Sequence, residues 1–566
     1  MIDIFIYRNY TVEFFMESWR IKNGAERAPH RSLLRAVGLH DEDFGKPFIG
    51  IANSYSEIVP GHIHLRKIVQ HVKKGIITAG GVPFEFNTIA VDDGIAMGHE
   101  GMNYSLPSRE VIADSIEIMV KAHAFDGLVM LSNCDKITPG MLMAAARLNL
   151  PSILITGGPM KAGRFHGKKI GLIDVFEAVW EYKKGKIEYK DLLEMERKAC
   201  PGPGSCSGLF TANTMAIISE AMGLSLPYSA TSPAESPQRE ALAYKSGIRT
   251  VELVKEGHRI REFMNRKAFE NAIKVDMALG GSTNTVLHLL AINREAEGDL
   301  RLDDFGILSK SIPHITPIYP GGEFMVEDLH RAGGVPALML RLKGKLNLTN
   351  LTVSGKTVEE IIDNAHILNS NVIRSFDNPV HPSGGLAVLR GSLAPEGALM
   401  KTAALKSNNF VFEGSSKVFD GEEKAFDAII NGQIEKGSVL VIRYEGPKGG
   451  PGMREMLSPT SAVVGMGLDK DIALVTDGRF SGGSRGPAVG HVSPEAAIGG
   501  PIAVVEDGDL IRIDVPKRKL DLLVDLEEIN ERKTRWYYKG KETKSRFLLR
   551  YSRDVSSASE GCILKS

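Results

Sequence analysis

Between residues 62 and 160 the apolar pattern swings repeatedly between helical and strand-like spacing, and that alternation constrains the fold more than any other feature of the chain. His62 to Ala79 has helical spacing and stops at Gly80-Gly81. Phe84 to Val91 reads as a strand that runs into Asp92-Asp93-Gly94. Ser108 is placed to cap a helix reaching about His123, with Ile112, Ile116, Met119 and Val120 on one face. Gly127 to Leu131 is a short apolar strand, and Cys134 follows it closely. Pro139 marks a first helical turn, continued over Met141 to Leu148. Ser152 to Thr156 is another strand and ends in Gly157-Gly158-Pro159. Such alternation predicts a parallel sheet with helices on both faces, whose sites lie beyond the carboxyl ends of the strands. Asp93, Cys134 and Gly157 each fall just past a strand end, so three separate segments are expected to build one pocket.

Further on, good helix formers span Thr211 to Met222, and Gly280-Gly281-Ser282-Thr283-Asn284 precedes an apolar helix from Thr285 to Ile292. From about Val358 to Pro382 the signals fade, which places a domain boundary there. Beyond it the texture changes to short β runs separated by glycine-rich turns: Leu386 to Leu389, Val439 to Tyr444, Ile472 to Thr476, Ile502 to Val505 and Leu510 to Val515. A helix over Glu422 to Ile430 interrupts them. Short strands with Gly and Pro turns predict a barrel or a sandwich.

The chain has four cysteines, too few and too irregular for a disulfide framework. Cys134 opens Cys134-Asp135-Lys136-Ile137-Thr138-Pro139-Gly140, and Cys206 closes Cys200-Pro201-Gly202-Pro203-Gly204-Ser205-Cys206. Taken alone, Cys134 fits a buried structural thiol as well as a ligand. Beside Asp135 and Lys136, with a second thiol in a Gly/Pro turn, it suits a soft and a hard metal held side by side. Cys200 and Cys206 lie too far apart for a zinc knuckle. Asp92-Asp93 alone reads equally as an Asx turn. Glu455 follows the flexible run Gly449-Gly450-Pro451-Gly452, and Ser481 lies in the glycine loop Asp477 to Gly483. Neither loop is a phosphate-binding P-loop, because no Lys-Ser or Lys-Thr follows at the required spacing.

Lys+Arg and Asp+Glu are both 69, so no global field favours nucleic acid or an anionic membrane. No apolar run is long enough for a membrane span. The first sixteen residues are broken by Asp3, Arg8 and Glu13 and lack the features of a signal peptide, so Met16 competes with Met1 as the start and the cytoplasm is the expected location.

Taken in order, the motifs resemble the dehydratase family that acts on dihydroxy acids, phosphogluconate and sugar acids, from about Arg27 to about Arg532. The resemblance is carried by Val59-Pro60-Gly61-His62, Phe86 to Gly94, the Cys134-Asp135-Lys136 loop and Gly204-Ser205-Cys206-Ser207-Gly208. In the second half come Gly280 to Thr285, Arg443 to Met453 and Asp477 to Gly483. It implies an N-terminal extension (1–26), an α/β domain carrying an iron–sulfur cluster (27–370) and a β-barrel domain with a C-terminal tail (371–566), the site lying between the two domains. By motif, Cys134 and Cys206 are cluster ligands. Asp93, Asp135, N-carboxylated Lys136 and Glu455 hold Mg²⁺, and Ser481 is the base. A homodimer acting on a small molecule is implied as well.

The expected reaction is dehydration of 2,3-dihydroxy-3-methylbutanoate and 2,3-dihydroxy-3-methylpentanoate to the 2-oxo precursors of valine, leucine and isoleucine. The alternative is a sugar acid or phosphogluconate. Two departures bear on the cluster. Many relatives with a 2Fe-2S cluster carry a cysteine at the position of Gly61, and some described with 4Fe-4S carry one where this chain has Pro203. Cys200 is then the remaining candidate for a third ligand, and Cys562 lies outside every motif.

Overall fold

The computed structural model describes residues 16–405 and 409–565. Residues 1–15, on which the choice between Met1 and Met16 turns, lie outside the described residues. Four parallel strands form the first sheet: β1 (Phe48–Asn53), β2 (Val82–Asn87), β3 (Gly127–Ser132) and β4 (Ser152–Thr156), in the order β2-β1-β3-β4. β1, β3 and β4 are buried along their whole length, as strands covered on both faces must be. Helix Leu65–Thr78 packs against Pro237–Glu256, and Ser105–His123 against Ile137–Leu148. With right-handed crossovers these pairs cover opposite faces. The chain leaves β1 toward one side of the sheet and β3 toward the other, which opens a crevice at their carboxyl ends. Gly61 and Cys134 lie there.

A small hairpin, β5 (Gly163–Phe165) and β6 (Lys168–Ile170), and the helices Leu172–Lys183 and Tyr189–Ala199 lead from β4 to the second cysteine loop. The later strands are β7 (Ala387–Leu389), β8 (Gly397–Met400), β9 (Val411–Asp420), β10 (Ser438–Arg443), β11 (Glu455–Met456), β12 (Ala473–Thr476), β13 (Arg479–Phe480), β14 (Ala488–Ser493), β15 (Leu510–Asp514) and β16 (Lys519–Leu522). Eight of them make one sheet ordered β16-β15-β9-β10-β12-β14-β8-β7, with parallel pairing at its centre. The two ends meet: Arg390 N–H donates to Arg518 O at 3.0 Å and Leu520 N–H to Arg390 O at 3.1 Å. Of the two expectations, barrel or sandwich, the sheet is a nearly closed barrel. Val439 and Val441 of β10 point into its core while Leu440 and Ile442 pack outside against Glu422–Ile430 and Ser458–Gly465, so the strand reads as an unbroken apolar run. The pair β11–β13 stands apart from that sheet.

The structure corrects several boundaries. The strand expected over Phe84 to Val91 is Val82–Asn87, because the chain leaves the sheet to carry Asp92 and Asp93 over its edge. Ser108 is no cap: the helix begins at Ser105, and the Ser108 hydroxyl donates to Ser105 O at 2.6 Å. Ile502 to Val505 is no strand but part of a 3₁₀ turn, Pro501–Val504. Pro501 has no N–H to give a sheet, yet Ile502 and Val504 still bury their side chains in the barrel core.

Candidate active site and metal centre

A cavity of about 260 Å³ lies between the loops at the carboxyl edge of the first sheet and the β11–β13 pair. Asp93, Cys134, Asp135, Cys200 and Cys206 reach it from the first sheet's side, and Glu455 and Ser481 from β11 and the end of β13. Lys136 is fully buried behind its floor. Every residue expected at the site is therefore brought to one place.

Asp92 and Asp93 divide the work at their turn. The Asp92 carboxylate accepts from Ile95 N–H at 3.0 Å, the Asx arrangement expected of such a pair. Asp93 turns inward, where Ser105 Oγ donates to Oδ1 and Lys136 Nζ to Oδ2, both at 2.6 Å. Lys136 Nζ also lies 3.5 Å from Asp135 and 3.5 Å from Glu455. One oxygen from each of Asp93, Asp135 and Glu455 lies within 4.8 Å of the others. Burial raises the Asp135 pKa, against the pull of Lys136 and with the push of Asp93 and Glu455. Burial also works to lower the Lys136 pKa, but Asp93 and the other two carboxylates outweigh it and the net shift is upward. That is opposite to the lowering that carboxylation of the amine requires. Three carboxylates face one ammonium and, at Glu455, one guanidinium, so the cluster keeps a net negative charge, and three hard oxygen donors fit a small divalent cation.

Behind the carboxylates runs a network that sequence reading missed. Asn284 Nδ2 donates to Glu455 Oε2 at 3.0 Å and to Thr211 Oγ1 at 3.1 Å, and its Oδ1 accepts from Arg479 Nη1 at 3.0 Å. Arg479 also donates to Glu455, its neighbour across the β11–β13 pair. The Thr211 hydroxyl, bonded to Ser282 Oγ at 2.9 Å, lies close enough to Asp135 to favour its carboxylate form. Asn284 thus joins Glu455, from the second half of the chain, to Thr211, from the first. The motif Gly280 to Thr285 marked the place, but nothing in its composition announced the partner.

The thiols are held just as firmly. His62 Nδ1–H donates to Ser54 O at 2.8 Å, which leaves Nε2 to accept the Cys134 backbone N–H at 2.9 Å. Burial lowers the His62 pKa to about 4, so the ring stays neutral and keeps that tautomer. A Cβ on Gly61 would lie 2.6 Å from Cys134 Sγ, so the absence of a side chain there leaves room for the thiol. Gly204 holds a φ of +133°, and its N–H bonds Pro60 O at 3.0 Å, docking the second cysteine loop on the first. Ser205 N–H bonds Gly158 O at 2.9 Å, which confirms that the end of β4 belongs to the same edge. Burial pushes both Cys134 and Cys206 well above the ordinary thiol range, with Asp92 and Asp135 adding to it. Two half-buried thiols that resist ionisation alone fit a site where a metal supplies the positive charge. Cys200 is exposed at the rim of the cavity. Cys562 is buried away from it, with Sγ 3.4 Å from Met453 Sδ.

Ser481 N–H bonds Met456 O at 3.0 Å, which fixes the serine beside Glu455. Its Oγ accepts from Gly483 N–H at 3.3 Å. Much of the remaining wall is apolar, with Ile95, Met97, Leu172, Ile173, Phe176 and Leu457 beside the polar Asp92, Ser205, Ser207 and Thr211. None of the described residues lining the cavity is a lysine or an arginine.

Comparison with known proteins adds to this geometry. Residues 46–361 match the family described as dihydroxy-acid/6-phosphogluconate dehydratase N-terminal, and residues 371–562 its C-terminal counterpart. A protein of Pyrococcus furiosus named dihydroxy-acid dehydratase is 56% identical, the alignment covering 97% of this chain and 100% of the relative. Proteins of the same name from Methanococcus aeolicus and Methanothermobacter thermautotrophicus are 54% and 55% identical over the same shares.

Proposed function

Since the chain belongs to the dihydroxy-acid/6-phosphogluconate dehydratase family, we propose that it dehydrates 2,3-dihydroxy-3-methylbutanoate and 2,3-dihydroxy-3-methylpentanoate to 2-oxo acids in branched-chain amino-acid biosynthesis. The observation that carries this substrate over a phosphogluconate is the lining of the cavity. A phosphate calls for a cationic clamp, whereas this wall offers Leu172, Ile173, Phe176 and Leu457 and no lysine or arginine. An aliphatic branch at C3 suits that surface.

In this reading Asp93, Asp135, Glu455 and carboxylated Lys136 hold Mg²⁺, and Cys134 and Cys206 hold an iron–sulfur cluster with Cys200 as a third ligand. A cation held by Asp93, Asp135 and Glu455 would offset the negative charge that keeps Lys136 protonated, which is what carboxylation of its amine needs. When bound, the cation supplies Lewis acidity at the substrate carboxylate and C2 oxygen, and the cluster supplies it at the C3 hydroxyl. Ser481, as the alkoxide, takes the C2 proton. The electrons of that C–H bond form C2=C3 while the C3–O bond breaks, hydroxide leaving with its pair to become water on protonation. The enol product then loses its O–H proton and gains one at C3, giving the 2-oxo acid. The Gly483 N–H is already aimed at the serine oxygen and stabilises it as an anion.

The reading also comprises a homodimer in the cytoplasm and two domains divided at residue 371. The gap between the two family matches, from 361 to 371, supports that division. The deciding experiment is an anaerobic assay of reconstituted protein on the two branched dihydroxy acids against gluconate and phosphogluconate. Preference for a sugar acid overturns the substrate assignment.

A further inference from the structure

Lys401 follows β8 and is 9% exposed, yet its Nζ donates to a backbone carbonyl, that of Gly482, at 2.8 Å. Burial lowers its pKa to about 8, only partly opposed by the charge of Asp276. A buried ammonium without a carboxylate in contact is an expensive feature to keep. The peptide it touches explains what it does there. The carbonyl of Gly482 and the N–H of Gly483 belong to one peptide group, and that N–H is the donor to Ser481 Oγ at 3.3 Å. A charge-assisted bond at one end of an amide polarises the other end, so the two hydrogen bonds strengthen each other. Lys401, Thr283, Ser481 and Ser484 also line one small void of about 20 Å³, so the lysine and the serine border the same enclosed space.

We propose that Lys401 is a positioning residue for the general base: through the Gly482–Gly483 peptide its ammonium makes the Gly483 N–H a stronger donor and so stabilises the Ser481 alkoxide. The proposal rests on Ser481 being the base. It accounts for how an alcohol acts as a base without a histidine beside it. The bland alternative is that Lys401 merely anchors the loop, in which case any donor that holds the Gly482 carbonyl serves as well.

The test compares K401M, K401Q and S481A with wild type in the reconstituted holoenzyme. It measures kcat, KM, the C2-deuterium isotope effect, and iron, sulfide and magnesium content. Loss of a charge-assisted bond is expected to lower kcat of K401M by about 10- to 30-fold. KM and metal content should stay within twofold, and the isotope effect should rise as proton removal becomes slower. K401Q keeps a neutral donor and is expected to recover only part of the loss. Wild-type kcat in K401Q, or a K401M kcat within twofold of wild type, overturns the proposal. Should K401M fail to fold, K401Q decides by the same numbers. Near-normal turnover in S481A removes the reading of Ser481 as base, whereas an inactive S481A beside an unaffected K401M removes the role of Lys401 alone.

Discussion

Asn284→Ala is expected to damage the metal site without touching any proposed ligand. The substitution removes the Nδ2 donor to Glu455 Oε2, the donor to Thr211 Oγ1 and the acceptor for Arg479 Nη1. All four residues are buried, so water does not replace what is lost. Hydrogen bonds to charged groups contribute about 1.5–3 kcal/mol each. Two of the three lost bonds involve a charge, and partial relaxation leaves an expected destabilisation of about 3–4 kcal/mol in the apo-protein. The larger effect is on geometry, since Glu455 loses a group that sets its distance from the other two carboxylates. Loss of such supporting partners typically costs about 10–100-fold in metal affinity. The assay is titration of anaerobic protein with Mg²⁺ by calorimetry, alongside iron and sulfide analysis. We expect weaker Mg²⁺ binding by a factor in that range and an unchanged iron content, because the thiols have their own supports. Mg²⁺ affinity within twofold of wild type refutes the argument that Asn284 spaces the carboxylates.

Ser481→Ala is expected to lower turnover by about 10²–10⁴-fold, the ordinary contribution of a positioned base, with metals retained; near-normal turnover rules the role out. In the metallated, active enzyme a high-resolution density map is expected to show Lys136 carboxylated, and an unmodified ammonium there refutes it. Cys134→Ser and Cys206→Ser are each expected to lose the cluster, and Cys200→Ser to lose an oxygen-labile one; an intact, air-stable 2Fe-2S centre by Mössbauer spectroscopy in Cys200→Ser sinks its role as third ligand. His491 is buried and its pKa is lowered to about 3 by burial, with Arg479 adding to the effect. Below pH 6.5 the unfolded chain takes up a proton that the fold refuses, so the stability of wild type relative to His491→Gln should fall by about 1.4 kcal/mol per pH unit from 6.5 toward 3. A difference that is flat with pH in urea unfolding of the apo-protein contradicts this.

What could be read from the sequence follows from what leaves a periodic trace. β3 and β4 are short apolar runs flanked by glycine or proline, so their ends, and with them Cys134 and Gly157, were placed correctly. β1 is also apolar but lies ahead of the alternating stretch, where no helix-strand rhythm marks it, although it forms one wall of the crevice that receives Cys134. The place of Asp93 past a strand end and of Glu455 after a glycine run marks where they lie, but a metal-holding role for them comes only from the motif resemblance, and the fold brings them to one point. Asn284, Arg479, Thr211 and Lys401 were not found because their role consists of contacts between distant segments. Arg479 and Asn284 are 195 positions apart and touch at 3.0 Å. Closure of the second sheet was hidden for a related reason: it depends on Arg390 meeting Arg518 and Leu520, residues with no strand pattern in common.

The distribution of donors across the two halves gives the site a property that neither half has alone. Asp93, Asp135 and Lys136 belong to the first sheet's loops, whereas Glu455, Arg479 and Ser481 arrive on β11 and β13. In the described arrangement three carboxylates converge on Lys136, with Arg479 pairing Glu455 from behind. Pulling the halves apart strips Glu455 of Asn284 and Lys136 together, and it divides the carboxylates between two surfaces. A cation that binds all three carboxylates therefore binds only the docked arrangement, and by linkage it stabilises that docking in proportion to its affinity. The serine is carried on the same β11–β13 pair as Glu455. Docking thus sets the proposed base and the third carboxylate in place in a single step, because both ride on one strand pair.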